Sequence, residues 1–170
     1  MKIFLTFLFL TCFQGLAFAQ ADEQEADLKA AFIYNFTRYI DWDPVSNDYE
    51  FTIGIIGPSP VGNSLAEIAK NNFVRNRRII IHFFNKPEEI SHCNILFISQ
   101  KASFPLQSIL NKVDRGMLTI SEQPGYAKEG TAFNFVLIND KLKFEANLRS
   151  INSAGVKASS QLLKLAMIVD

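Results

Sequence analysis

Apolar and polar positions change their period several times along this chain, and each change predicts an element. From Ala26 the apolar spacing is three and four. Leu28, Ala31, Phe32, Phe36, Tyr39 and Ile40 fall on one face of a helix. Pro44 and the loop residues Ser46, Asn47 and Asp48 end it. Phe51 to Ile56 is a continuous apolar and largely β-branched run, the pattern of a strand covered on both faces. Gly57-Pro58-Ser59-Pro60 follows. Ser59 suits an N-cap and Pro60 the first helical position, so a helix is predicted to about Asn71. Ile79 to Phe84 and Ile95 to Ser99 read as further buried strands. Phe104 to Val113 reads as a helix, and Met117 to Ile120 as a strand.

The pattern alters after the turn-rich stretch Gln123 to Gly130. Ala132 to Ile138 and Lys141 to Ala146 flank Asn139-Asp140, two residues that tolerate the positive φ of a tight hairpin. In the second arm Leu142, Phe144 and Ala146 alternate with Lys141, Lys143 and Glu145, so one face is wet. Ser159 to Val169 is helix-like, with Leu162, Leu163, Leu165 and Ala166 apolar. Single buried strands alternating with helices predict an α/β fold. It is a single-domain three-layer α/β/α sandwich with a mostly parallel sheet and an antiparallel hairpin at one edge.

The amino terminus adds a compartment. Met1 to Ala19 carries Lys2, then the apolar run Ile3 to Phe13, then the small-x-small site Ala17-Phe18-Ala19, which reads as a secretory signal peptide before a domain over residues 20–170. The run is too short to span a bilayer comfortably. Lipidation at Cys12 is the rival reading, but Phe9-Leu10-Thr11 fits a lipobox poorly. The chain is then periplasmic. Loss of the leader removes one of 17 basic residues and none of the 17 acidic ones. So balanced a charge supplies no field for nucleic acid or an anionic membrane. Cys93 remains as the single cysteine, which excludes an internal disulfide and favours burial at the start of the Ile95 strand.

Catalytic chemistry is hard to place on these residues. His82 and His92 lack metal-ligand spacing, and no C-x-x-C or H-E-x-x-H occurs. The strand-to-helix turn at Gly57 to Gly62 has the geometry of an anion cradle but lacks the P-loop lysine. No catalytic residue, cofactor or metal is expected, and the chain reads as a binding protein rather than an enzyme. Candidate contacts are Trp42, an amphipathic aromatic beside a loop, and Arg77 and Arg78 in a cluster with Arg75, where guanidinium groups suit phosphate or carboxylate.

Certain segments are also familiar in order. Lys29-Ala30-Ala31-Phe32-Ile33-Tyr34-Asn35-Phe36, then Tyr39-Ile40 and Trp42, resembles the opening of the YfiR family of bacterial periplasmic proteins. The likeness continues through Phe51 to Gly57, Cys93 to Ser99 and Leu118 to Glu122, then Pro124-Gly125-Tyr126 and Gly130. It closes with Phe144 to Asn147, Ala154-Gly155 and Ser159 to Leu163, then Leu165-Ala166. The resemblance implies a non-enzymatic α/β regulator that tends to form a homodimer. The best-known relative represses an inner-membrane diguanylate cyclase by binding its periplasmic part, and an outer-membrane lipoprotein sequesters it. Other relatives accompany histidine kinases. A small-molecule ligand, nucleotide or amino acid, is also implied. On the family pattern alone, Asn147 and Ser160 join the candidate contacts, with helix caps as the equal alternative reading for both. The chain departs from the family in three places. Cys93 alone cannot make the disulfides of the best-known relative. Asp43 separates Trp42 from Pro44, and Thr131 stands where a second glycine often follows Gly130.

Overall fold

The computed structural model describes residues 22–42 and 49–169. The expected leader, Cys12, and the loop from Pro44 to Asp48 lie outside the described residues. The chain runs as α1 (22–39), β1 (Ile40–Trp42), β2 (Glu50–Ile56), α2 (Pro60–Asn71), β3 (Phe73–Val74), β4 (Arg77–Phe84) and a 3-10 turn at Pro87–Glu89. It continues as β5 (Ile95–Ile98), α3 (Leu106–Leu110), β6 (Leu118–Ser121), α4 (Tyr126–Glu129), β7 (Phe133–Ile138) and β8 (Lys141–Asn147). It ends with α5 (Leu148–Ser153), β9 (Val156–Ala158), α6 (Ser160–Leu163) and β10 (Met167–Val169).

The apolar runs assemble into an eight-stranded sheet in the order β10-β8-β7-β6-β5-β2-β4-β3. β4, β2, β5, β6 and β7 pair in parallel. Alternation along each strand feeds two cores. Phe51, Ile53 and Ile55 of β2 and Ile95 and Phe97 of β5 join the larger core. Ile56, Leu96 and Ile98 point the other way, into the smaller one with Phe84, Leu106, Ile109 and Met117. α1 and α2 cover the first face and α3 the second, which is the expected three-layer arrangement. Gly54 faces the smaller core, and a Cβ there would stand 2.6 Å from the Phe84 ring.

α1 presents a slightly different stripe from the predicted one. Ala26, Ala30, Ile33 and Phe36 are buried, whereas Leu28 and Tyr39 are exposed. The helix is apolar over a wide arc, and the alanines let it approach the sheet closely. Phe36 sits at the centre of an aromatic cluster, with ring centroids 5.0 Å from Phe133 and 4.9 Å from Phe144.

The expected hairpin is present. Ile138 pairs with Lys141 across Asn139 and Asp140, whose φ values are 50° and 58°. It lies near one edge, and β10 adds one more strand outside it by parallel pairing with β8. Three expectations change. Ile40 to Trp42 leaves the helix to pair antiparallel with β9. The helix predicted from Ser159 to Val169 stops at Leu163, because Met167 to Val169 finds the open side of β8. The helix predicted from Phe104 to Val113 shortens to Leu106–Leu110. Short apolar runs suit either state, and long-range pairing decides between them.

Candidate functional site

Trp42 and Arg77 converge on one ring. β1 sets the Trp42 indole edge-on to Phe51, with centroids 5.1 Å apart, and its Nε1 donates to the Asn94 carbonyl at 3.3 Å. The Arg77 guanidinium lies over the same Phe51 ring, 4.9 Å from its centroid. Strand alternation turns Arg78 to the opposite face, with its cross-strand neighbours Phe73 and Glu50. Arg75 occupies the tight turn between β3 and β4 at φ 48° and pairs with Asp41 of β1. Tyr49, 86% exposed, borders the group, since its carbonyl accepts from Arg78 N–H at 2.9 Å. Together these residues form an arginine-rich, aromatic corner at the amino ends of β2 and β4.

The other two candidates lie elsewhere. Asn147 is buried and caps α5. Its Oδ1 accepts from Ser150 N–H at 3.0 Å, and its Nδ2 donates to the Ala127 carbonyl at 2.8 Å. Both ends of the amide are thereby held within the fold. Ser160 is exposed at the start of α6, where Ser159 provides the cap. Cys93 is buried, and removal from water raises its thiol pKa to about 12. His82 and His92 are both exposed. Thr131 is buried, and its hydroxyl lies 2.8 Å from Ser121 Oγ, so the departure from the family glycine is absorbed by a hydrogen bond.

The opposite end of the sheet holds a cleft. The chain leaves β2 through α2 to reach β4 on one side, then returns to β5 on the other. The carboxyl ends of β2 and β5 are therefore a topological switch point, where open α/β sheets hold ligands. A cleft of about 100 Å³ lies there, lined by Glu25, Lys29, Ser59, Ser99, Lys101 and Glu122 among others. Gly57 shapes its rim at φ 87°. A Cβ there would stand 2.7 Å from the Ala102 backbone, so a side chain is excluded on two counts. Ser99 Oγ donates to the Pro58 carbonyl at 2.7 Å and accepts from Lys101 N–H at 3.1 Å, tying the two loops together.

Lys29 is the cleft's buried charge. Its ammonium lies 2.6 Å from Glu25 and 2.5 Å from Glu122, whose second oxygen accepts from Gln100 N–H at 3.0 Å. Burial works against the charge, but hydrogen bonds and attraction from Glu122 and Glu25 outweigh it and hold the pKa above the ordinary lysine value. Sequence reasoning missed this triad. The Glu25 to Lys29 spacing of four was visible, but Glu122 lies 93 residues from Lys29. No group of three or more histidine, cysteine or carboxylate side chains suited to a metal occurs among the described residues.

Among solved structures, the crystal structure of a conserved domain protein from Vibrio cholerae O1 biovar El Tor str. N16961 is similar, with a TM-score of 0.51 at 7% identity. The match covers 85% of this chain and 60% of that one, and at this identity it speaks to the fold alone. Comparison with curated proteins gave no match. The family model described as YfiR/HmsC-like matches residues 26–167, from the first buried turn of α1 to β10. The chain belongs to the YfiR/HmsC-like family.

Proposed function

We propose that this protein is a periplasmic signalling regulator that binds the periplasmic part of an inner-membrane sensor and represses it. The observation that carries the reading is the unbroken family match from residue 26 to residue 167. Proteins of this family act as regulators rather than enzymes. The sensor is a diguanylate cyclase in this reading, with a histidine kinase as the alternative output and an outer-membrane lipoprotein as the sequestering partner. Trp42, Arg77 and Arg78 are the proposed contacts. Their surroundings support this, because exposed aromatics beside arginines are the side chains that dominate protein interfaces. Tyr49 and Phe73 are 86% and 59% exposed at the same corner. Among the described residues no helix is long and apolar enough to cross a membrane.

A crosslinking pull-down from the protein's own envelope, read by mass spectrometry, tests the proposal. Recovery of a membrane cyclase or kinase, reduced by Arg78→Glu in a protein that still folds, is the expected result. Recovery of no sensor with the folded protein would overturn it. The switch-point cleft favours a second reading, a small-ligand binding protein. A nucleotide, amino acid or small anion would then raise the melting temperature by mass action at concentrations well above Kd. No shift with any of the three classes would remove that reading. The two readings are compatible, since a ligand in the cleft can set partner affinity through linkage.

A further inference from the structure

β7 and β8 outrun the strands beside them. β7 pairs with β6 only at Phe133 and Asn134, and β10 meets β8 only from Glu145 to Asn147. Between those contacts and the turn, Phe135 to Ile138 and Lys141 to Phe144 pair with each other. Among the described residues, no strand lies along either outer side of this stretch. The outer half of the hairpin therefore projects as a two-stranded ribbon, which needs a covered face to hold its shape. α1 covers that face at the base, where the Phe32 ring centroid lies 6.1 Å from those of both Phe135 and Phe144. Leu137, nearer the tip, is 56% exposed.

The direction of the ribbon's backbone groups follows from its turn. A two-residue loop at positive φ makes Ile138 and Lys141 the pair that exchanges both hydrogen bonds. At the far end Asn147 N–H donates to the Ala132 carbonyl at 2.9 Å, which keeps the same alternation. Lys141 and Lys143 thus turn their peptide groups inward to β7, and Leu142 turns both of its groups outward, to the open side. Side chains alternate as well. Leu142 and Phe144 face the larger core, and Lys141 and Lys143 face the other way. Both lysines are exposed, and neither pairs with a carboxylate among the described residues.

We propose that the β8 side of this ribbon is a docking edge for a protein partner that adds an extended segment of alternating acidic and apolar residues. The added strand bonds the outward peptide groups of Leu142, and its own alternation sorts its side chains. On one face they lie beside Lys141 and Lys143, where carboxylates fit. On the other they extend the apolar face that Leu137 and Leu142 begin, where apolar side chains fit. The lysines also select against other occupants. Lysine on an open edge deters strand addition, and a second copy paired antiparallel here would set its own lysines beside these. An acidic segment turns that barrier into attraction. In the strand order β8 lies at the opposite end from β4, which carries Arg77. The docking edge is therefore separate from the sensor-binding proposal and stands without it.

Titration of the folded protein with a capped hexapeptide of alternating valine and glutamate, followed by amide NMR, tests the inference. Shifts are expected from Lys141 to Phe144. Exchange should slow at the Leu142 amide and stay unchanged at Lys143, whose amide is already bonded to β7. The same peptide with lysine in place of glutamate is expected to bind about tenfold or more weakly. Lys141→Glu with Lys143→Glu should reverse that order. Both side chains are exposed, so the double variant is expected to keep the fold, and its melting temperature checks this. No shifts in the ribbon, equal affinity of the wild-type protein for the two peptides, or an unchanged preference in the folded variant would overturn the inference. Binding to phosphatidylglycerol vesicles in preference to the glutamate peptide would also overturn it, by assigning the lysines to a membrane surface.

Discussion

Cys93 lies against Gly54, in the smaller core with Phe84 and Leu96, and its environment decides its chemistry. The thiolate is the reactive form, and burial raises the pKa from 9.0 to about 12. The native thiol is therefore expected to resist alkylation at neutral pH and to react once the chain unfolds, as a thiol titration with and without denaturant will read. The same shift has a consequence in alkali. A thiol whose folded pKa is raised contributes stability that is fully present below pH 9 and is lost as pH rises toward 12. Cys93→Ala should flatten that part of the stability–pH curve. If the wild-type and Cys93→Ala curves have the same slope from pH 9 upward, the thiol is not held as described. Asn147 shows the same logic in a neutral group. The family pattern alone offered it as a contact, but its amide caps α5 and bonds the Ala127 carbonyl.

At the scale of elements, short helices here depend on single caps. α6 is four residues long, and Ser159 Oγ accepts from Leu162 N–H at 3.2 Å. Ser159 N–H also donates to the Tyr39 carbonyl at 2.8 Å, which joins α6 to the end of α1. Ser159→Ala should cost about 1 kcal/mol, whereas the neighbouring Ser160→Ala should stay within about 0.5 kcal/mol. Urea unfolding of the two variants measures the difference. Equal losses would mean that the cap is shared, and a loss at Ser160 alone would reverse the assignment. The β1–β9 ribbon is the other element built by a partner. Ile40, Asp41 and Trp42 face Ala158, Lys157 and Val156, and this pairing turns the chain out of α1 and sets Trp42 against Phe51.

At the scale of the whole molecule, Lys29 joins parts that are distant in sequence. It ties α1 to the loop after β6, and Glu122 carries the tie on to the loop after β5 through Gln100 N–H. Removing the ammonium leaves Glu25 and Glu122 near each other with no cation between them. Lys29→Met is expected to destabilise the fold by about 3 kcal/mol, because Glu122 is left buried without its cation, while the partly exposed Glu25 keeps some hydration. Calorimetry should show most of that loss recovered in Lys29→Met with Glu122→Gln. Failure of the second change to restore stability would mean that the lysine acts through packing alone. The larger core runs from Ala26 to Leu162. The loss should therefore appear as a shift of one transition rather than the melting of a separate part.

Much of the fold was legible in local pattern. Phe51 to Ile56 and Ile95 to Ile98 read as strands because parallel strands covered on both faces need unbroken apolar runs. Ser59 and Pro60 marked the start of α2, and Asn139-Asp140 the hairpin, because each satisfies a backbone demand within a few residues. The ordered family segments were legible in the same way. The sequence by itself determined the α/β class, the buried strands, the Ser59 cap and the burial of Cys93. Tertiary structure alone decided that Ile40 to Trp42 and Met167 to Val169 are strands. It also decided that Trp42 and Arg77 share the Phe51 ring, that Arg78 faces away from them, and that Lys29 meets Glu122. Each of these depends on partners far along the chain, and periodicity records only what a segment buries, not which segment it meets.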